Sequence, residues 1–564
     1  MKFFNQTALA FIFGAALFVA NSATAAQVVH VKYEDNGKGV RTLISKAVTE
    51  SGPDQAHEIS YPQFIAEHQP LKAATIVEAW LKDSAAADAF IAERGIQPVK
   101  ESEFEAAADE LFTIVESGSS QNRIDLVFMG DGYTQNERQK FISDIQRIVN
   151  DMFVGDTFAS YLPVFNVYAV FRASNESGIG RNNRAKDTAY GLYREGDTLR
   201  AIFPTNTTAL RTSCRVAPGC DYPVVIANDP HYGGLGGEFA ISTSSETSGT
   251  VVLRHELGHN FGRVGEEYDG GGYFGANNSA TVASLKWKHW STDAVTVAEP
   301  SVARFLAWPW HNLSSGPYTA TFTCDANYPH ATMNLSASGL PNADSLKIEL
   351  DGQPLTYDGP GTDDRSFHMY RSGGFGSGRH TLKFTQLESD ANNWVSSIAI
   401  HEYAADYHFD ADHIGAHPVF SQSGSVAGYR PTHETCLMRN MQSTSFCPVC
   451  QENNWLEFFQ RVKMIDSVNS ANSGANTTVT LQTQKLGQFR SASSGFETSQ
   501  DPGSVEIRWT RNGQAVPALN DQTQWTLPTT DARGSWAVDV SFVTPEVRKD
   551  TRSLLKDRKT LTVN

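Results

Sequence analysis

The chain has 564 residues, a formal net charge of −16, 19% charged residues and 40% hydrophobic residues. That length is too great for one compact domain and predicts roughly three to five, and the composition is globular rather than disordered. The acidic balance argues against nucleic acid as the main partner.

In chain order, Met1-Lys2 is a short basic start, Ala8 to Ala20 is an apolar run, and Ala23-Thr24-Ala25 is a small-x-small cleavage site. Residues 1–26 therefore read as a signal peptide of the bacterial Sec type, too short for a permanent membrane anchor, and the mature chain is expected to be exported, periplasmic or extracellular. Residues 27–115 pair a short strand, Val28–Tyr33, with an alanine-rich helical stretch, Ala73–Glu93, and read as an N-terminal accessory domain or pro-segment. Asn122–Met129 is a predicted strand that opens a catalytic region spanning 116–317, and Gln135–Met152 has helical spacing, with Phe141, Ile142, Ile145, Ile148 and Val149 on one side. Phe165–Phe171 and Tyr222–Ile226 read as buried strands. Cys214 and Cys220 flank a Pro-Gly turn and are expected to form a disulfide, as suits an exported protein with six cysteines.

The loop Gly233-Gly234-Leu235-Gly236-Gly237 lacks the Lys-Ser/Thr ending of a phosphate cradle. The following Phe239–Ser242 is an expected edge strand at a cleft, where an extended peptide would pair. Residues 318–400 carry short strands between Asn, Asp, Gly and Pro turns, the pattern of an inserted β-sandwich. Asn469–Gly474 reads as a linker. Residues 474–564, with Val505–Thr510, Gln524–Leu527 and Trp536–Val543, read as an immunoglobulin-like β-sandwich. Both β-modules are candidates to bind glycans or surfaces, although a β-sandwich is a scaffold and not a function.

The decisive run is His255-Glu256-Leu257-Gly258-His259. On a helix, residues i and i+4 share a face, so both imidazoles reach one Zn²⁺, and Glu256 stands beside the first of them as a general base. The bland reading is a surface helix that happens to carry two histidines. The apolar Val251-Val252-Leu253 before the motif, the absence of proline and Gly262 as a stop argue against it. In the pattern H-E-x-x-H-x-x-G-x-x-H the third histidine would fall at 265, but that residue is Gly265. The neighbouring carboxylates supply the replacement. A helix running straight on would put Glu266 nearly in register with His255, so Glu266 is the expected third ligand and Glu267 the alternative.

The segment His255–Asp269 resembles the M64 family of secreted metallopeptidases, the IgA-peptidase family. Asp125–Thr134 resembles the strand and turn that open that family's catalytic domain, and Lys286–Trp290 its motif after the active-site helix. Tyr429-Arg430-Pro431, Cys436–Asn440 and Phe446–Cys450 resemble its C-terminal signature. The long β-patterned stretch between Trp290 and Tyr429 departs from the family and looks like an insertion. The resemblance implies a second catalytic part at 401–468. It also makes Met438 a Met-turn residue, a polarisable floor under the metal rather than a ligand. Cys447-Pro448-Val449-Cys450 has neither the βαβ context of a redox pair nor a second C-x-x-C for a zinc knuckle, so a structural disulfide set is expected.

The expected fold is multidomain α+β: a zincin-like α/β catalytic domain with an N-terminal accessory domain, an inserted β-sandwich and a C-terminal immunoglobulin-like β-sandwich. The expected function is a secreted zinc endopeptidase with one catalytic Zn²⁺, acting on protein or peptide substrates. Tyr268 and Tyr429 are candidates for oxyanion support. The alternative is a secreted binding or adhesive protein with a structural zinc site. An intact Glu256 speaks against that, because a structural site has no need of a base.

Overall fold

A computed structural model describes residues 28–35, 40–49, 57–59, 75–98, 109–153, 157–196, 198–291, 294–340, 342–357, 364–388, 393–490 and 503–564. The expected signal peptide, residues 1–26, lies outside the described residues. The architecture is mixed α+β and sheet-rich, with several separate sheets. Among the described residues no helix is long and apolar enough to cross a membrane.

The N-terminal part is a five-stranded sheet in the order His57–Ile59, Thr75–Leu81, Val28–Asp35, Arg41–Thr49, Ile96–Gln97. The stretch expected to be helical across Ala73–Glu93 divides. Thr75–Leu81 is a strand, and the helix is confined to Ser84–Glu93. The reason is local. Thr75-Ile76-Val77 is β-branched, and Asp83 caps the helix by accepting the Ala86 amide at 2.7 Å.

The site is carried by a second five-stranded sheet. Its strands are β1 (Glu110–Val115), β2 (Ile124–Asp131), β3 (Phe165–Phe171), β4 (Tyr222–Ala227) and β5 (Ala240–Thr243), in the order β5-β4-β2-β3-β1. β5, β4, β2 and β3 run parallel, and β1 closes the far edge antiparallel to β3. Every residue of β2, β3 and β4 is buried, as parallel strands covered on both faces require. The period of two then sorts the side chains. Ile124, Leu126 and Phe128 enter one core, and Val127 and Met129 enter another. The first core holds three helices: α1 (Arg138–Met152), α2 (Gly249–Gly262) and α3 (Pro448–Arg461). α1 buries Phe141, Ile145, Ile148 and Val149 as its spacing predicts, and Met152 joins them while Ile142 is only half-buried.

The inserted region forms a five-stranded and a four-stranded layer around one apolar core that includes Phe322, Leu335, Ile348, Leu382 and Ile398. It begins earlier than the expected residue 318, because Ser301–Ala307 is the edge strand paired with Trp394–Tyr403. Every residue of that edge strand is half-buried, so it lacks the alternation that marks a strand in sequence.

Two further sheets make the C-terminal part. Asn469–Gly474 is not a linker: Ile465–Ser473 pairs antiparallel with Asn476–Thr483, and Gly474, at φ +62°, makes the hairpin turn between them. Its polar composition reflects the exposed end of a strand. This part shares the catalytic core. The Trp455 ring of α3 sits 5.1 Å from Phe542, and its indole N–H donates to Glu546 at 2.5 Å.

Candidate metal centre

α2 is pinned by its apolar side. Leu253, Leu257 and Phe261 enter the main core, with Phe261 packed 4.8 Å from Tyr222 and 5.1 Å from Phe165. His255 and His259 are presented together, both at most 8% exposed, with ring centroids 4.9 Å apart. The helix ends at Gly262, where a Cβ would meet the Asn454 side chain of α3 at 2.7 Å. The turning residue is Arg263, in the left-handed region at φ 50°, whose amide closes on the His259 carbonyl at 2.9 Å.

Because the helix stops there, Glu266 does not reach the histidines by helical register. The chain doubles back through a tight loop, with the Gly265 amide on the Phe274 carbonyl at 3.0 Å and the Glu266 amide on the Gly272 carbonyl at 2.9 Å. A Cβ on Gly265 would lie 2.3 Å from the Gly272 oxygen, so no histidine fits at the position where the longer motif places one. The loop brings Glu266 Oε1 to 3.0 Å from His259 Nε2 and Oε2 to 3.3 Å from His255 Nε2. Glu267, the alternative, points away from the histidines. It is fully buried beside Cys436, Cys447 and Cys450, and accepts the Asn277 amide at 2.9 Å.

The far ring nitrogens of both histidines are tied down. His255 Nδ1 lies 3.1 Å from the Leu437 carbonyl and His259 Nδ1 lies 2.8 Å from the Val264 carbonyl. A carbonyl only accepts, so each Nδ1 carries a proton and donates it there, which leaves each Nε2 as the ring atom facing Glu266. Two imidazole nitrogens and one carboxylate, converging and oriented from behind, fit a zinc ion. The electrostatics agree. Burial alone would lower the His255 pKa, but the adjoining Glu266 lifts it to about 9. Burial works against ionised Glu266 as well, yet His259 and His255 hold it well below the usual carboxylate range. The three groups could hold a metal ion at their centre.

Glu256 is half-buried and lines the same cleft as His255 and Glu266. Burial pushes its carboxyl pKa up, against the pull of His255 and His259. Gly236 of the glycine-rich loop lies against it, where a Cβ would come within 2.5 Å of Glu256 Oε2. That loop corrects one expectation. β5 is an edge strand, but its Ile241 already exchanges both hydrogen bonds with Leu235, at 3.0 and 2.9 Å, and Gly234 pairs on with Arg200 at 3.1 Å. The glycine-rich segment occupies the edge expected to receive a peptide, and itself forms the rim of the cleft.

Met438 is fully buried, and a Cβ on Gly258, between the two histidines, would touch its sulfur at 2.7 Å. Its carbonyl accepts the Glu267 amide at 3.0 Å, so the segment holds the third carboxylate's loop as well as the floor under His255. The Tyr268 ring stacks 6.4 Å from His255 and lines the cleft. Tyr429 is not among the cleft-lining residues; its backbone pairs with Ser279.

Sequence reasoning missed three contributors. Tyr232 faces the site: burial raises its phenol pKa, opposed by Arg365 and reinforced by Glu256, Asp364 and Glu266. Asp269 lies 3.0 Å from both Arg439 and His401 and accepts the Phe420 amide at 2.8 Å, so it ties the ligand loop to the insert and to the segment after Met438. Most unexpectedly, the insert walls the cleft. Arg365 caps the rings of Tyr232, Trp310 and Phe367 at 4.8–5.0 Å, and Leu335, His368 and Ile398 line the opening beside them. Only the Glu-Tyr-Asp run at 267–269 hinted at any of these.

The Cys214–Cys220 disulfide is present. The expected wider disulfide set is not: Cys324, Cys436, Cys447 and Cys450 are free and buried.

Residues 112–325 match the model of the IgA peptidase M64 family. That stretch is similar to the family. The M64 match takes in most of β1, all of β2 to β5, α2 and the ligand loop, and ends before Met438, Cys436, Cys447 and Cys450. A metallopeptidase acting on proteins or peptides is what this match supports. No curated protein matches the chain. Solved structures with local similarity include a ruminal GH26 endo-beta-1,4-mannanase, at 15% identity over 16% of this chain and 19% of that one, TM-score 0.13. A family 35 carbohydrate binding module from Clostridium thermocellum matches at 9% identity over 19% of this chain and 98% of that one, TM-score 0.12. An FMN-binding beta-glucuronidase from Facaelibacterium prausnitzii L2-6 matches at 12% identity over 48% and 39%, TM-score 0.14. The chain spans between 19% and 29% of the length of the first three structures it matches. Similarity at these TM-scores carries no argument about fold or function.

Proposed function

We propose that the protein is an exported zinc endopeptidase, with the M64 region as its zincin-like catalytic domain. The observation that carries this is the convergence of His255 Nε2, His259 Nε2 and the Glu266 carboxylate on one point, both imidazoles oriented by carbonyls, with Glu256 free of that set and open to the cleft. His255, His259 and Glu266 hold the metal. Zinc bound there supplies a Lewis acid that acidifies water and polarises a carbonyl oxygen.

Glu256 takes the proton from the attacking water and returns it to the leaving amine nitrogen as the peptide bond breaks. Its raised pKa suits a group that must both accept and donate a proton. Leu235 and Gly234 form one side of the cleft, and Arg365, Phe367 and Leu335 of the insert form the other, so an extended chain is held between them. The Tyr268 and Tyr232 hydroxyls are the candidates to donate to the developing oxyanion. A half-buried carboxylate beside the ligand set favours catalysis over the adhesive alternative. The small-x-small site at Ala23-Thr24-Ala25 supports export.

The test is casein cleavage by the wild type and by Glu256→Gln, with zinc measured in both. The wild type should cleave, and the variant should keep its zinc and lose activity about 10²-fold or more. Equal cleavage by the two proteins refutes this assignment of the base.

A further inference from the structure

Glu267 and the three cysteines around it take no part in the chemistry above, and their geometry is specific. Cys436 Sγ and Cys450 Sγ are 3.8 Å apart. Glu267 Oε1 lies 3.6 Å from Cys450 Sγ and 4.0 Å from Cys447 Sγ. All four donor atoms fall within 4.8 Å of one another, and all four residues are at most 2% exposed. A tetrahedral zinc with Zn–S of about 2.3 Å and Zn–O of about 2.0–2.2 Å sets its sulfurs about 3.8 Å apart and each sulfur about 3.5 Å from the oxygen. A disulfide needs about 2.0 Å. The spacing is therefore that of ligands on a common ion.

Two independent observations point to a cation. Glu267 is 0% exposed: its Oε1 faces Cys447 and Cys450 and accepts the Asn277 amide, and its Oε2 is buried with no hydrogen-bond partner, so the carboxyl group sits beside the thiols incompletely satisfied. One thiol sits at a helix start. Cys447 caps the N-terminus of α3, with Pro448 in the first turn, and the Cys447 amide points at Cys436 Sγ at 3.4 Å.

We propose a second, structural zinc site with Cys436, Cys447, Cys450 and Glu267 as its ligands. Its four ligands close the coordination shell, so it leaves no open position for substrate. The C-x-x-C at 447–450 lacks a second C-x-x-C in sequence; Cys436 and Glu267, which is 180 residues from Cys447, complete the set in space. The site bolts together three pieces of the candidate active centre. Glu267 adjoins Glu266, Cys436 is two residues before Met438, and α3 carries the Asn454 that abuts Gly262 at the end of α2. Consecutive glutamates thus serve two different ions.

The test uses the full chain, exported and purified without chelator or reductant. Metal analysis should give two zinc per chain, and His255→Ala/His259→Ala should retain one. Alkylation of the wild type in denaturant with chelator should label four cysteines and leave the Cys214–Cys220 pair unlabelled. Cobalt-loaded wild type should show thiolate-to-cobalt charge-transfer absorption that Cys447→Ser/Cys450→Ser lacks, a readout that does not depend on the histidine variant folding. One zinc per wild-type chain that the histidine variant retains would support this site and remove the one proposed above. Zinc lost entirely with the histidines, a disulfide mapped between any two of Cys436, Cys447 and Cys450, or no charge-transfer band would overturn it.

Discussion

Asp364 joins the insert to the active-site helix, and its replacement tests whether the insert is part of the catalytic architecture. It is 3% exposed. Its Oδ2 accepts the hydroxyls of Ser245, Thr247 and Ser248 at 3.1, 2.8 and 2.9 Å, immediately before α2 begins at Gly249. Its Oδ1 accepts the Arg365 amide at 2.8 Å and the Tyr232 amide. In Asp364→Ala the hydroxyls have partial recourse, since Ser245 Oγ already lies 3.2 Å from Thr247 Oγ1 and 2.9 Å from Ser248 Oγ. The two backbone amides have none. Each donor left unpaired costs about 1–3 kcal/mol, and loss of an anion at a helix N-terminus adds about 0.3–1 kcal/mol. With some relief from entering water, the junction should lose about 2–4 kcal/mol.

The chain has several domains, so a global melting temperature would blur this loss. Amide hydrogen exchange reads it locally. At 1.4 kcal/mol per tenfold, exchange at Ser248–Leu253 should accelerate roughly 30- to 700-fold in Asp364→Ala. Asp364→Asn keeps an acceptor for both amides and loses the charge and the second acceptor, where the hydroxyls can turn to accept from the new NH2, so about a fivefold change is expected for a loss near 1 kcal/mol. Casein cleavage should fall in the Ala variant, because Tyr232 and Arg365 both hang from this residue. Exchange in Asp364→Ala within threefold of wild type would refute the reasoning.

Glu266→Ala should release the zinc held by the histidines and abolish casein cleavage; a variant that still binds metal at His255 and His259 with unchanged affinity would exclude Glu266 as a ligand. Gly265→Ala forces a Cβ to 2.3 Å from the Gly272 oxygen, so the ligand loop should shift, with zinc affinity and cleavage falling together and stability lower by about 1–3 kcal/mol; wild-type behaviour would show that the loop is not tight. Glu78 links the N-terminal sheet to the catalytic region through Arg461 at 2.9 Å and Arg263 at 3.5 Å. Burial opposes its ionisation, but Arg461, His30 and Lys32 hold it well below its ordinary value of 4.5. A depressed folded pKa gives stability that is complete above about pH 4.5 and drains away as pH falls through the folded value. Protection factors at Thr75–Leu81 should therefore fall below pH 4.5 in the wild type, and Glu78→Gln should remove that pH step while being less protected at pH 7.

What the sequence made legible follows from how far each feature reaches along the chain. His255 and His259 are four residues apart, and one helical turn decides their meeting. β2, β3 and β4 were visible as apolar runs because a strand covered on both faces has little choice of residue. Glu266 was singled out for a reason that does not apply: α2 ends at Gly262, and the carboxylate arrives through a loop whose fold depends on Gly265 tolerating a backbone oxygen where a Cβ would sit. A helical extrapolation cannot contain that information, since the clash is with Gly272 and Phe274 beyond the motif. The same limit explains the cysteines. Sequence spacing sees the Cys447–Cys450 pair alone, and without a second pair the zinc reading fails. The remaining ligands come from a turn eleven residues upstream of Cys447 and from a glutamate 180 residues away, positions that only the packing of α3 against the ligand loop brings together. The cleft wall is subject to the same constraint. Arg365 has no sequence mark of a site residue, and it acquires one only because Asp364 is drawn to the N-terminus of α2 by three hydroxyls and two amides, which places the next side chain over Tyr232.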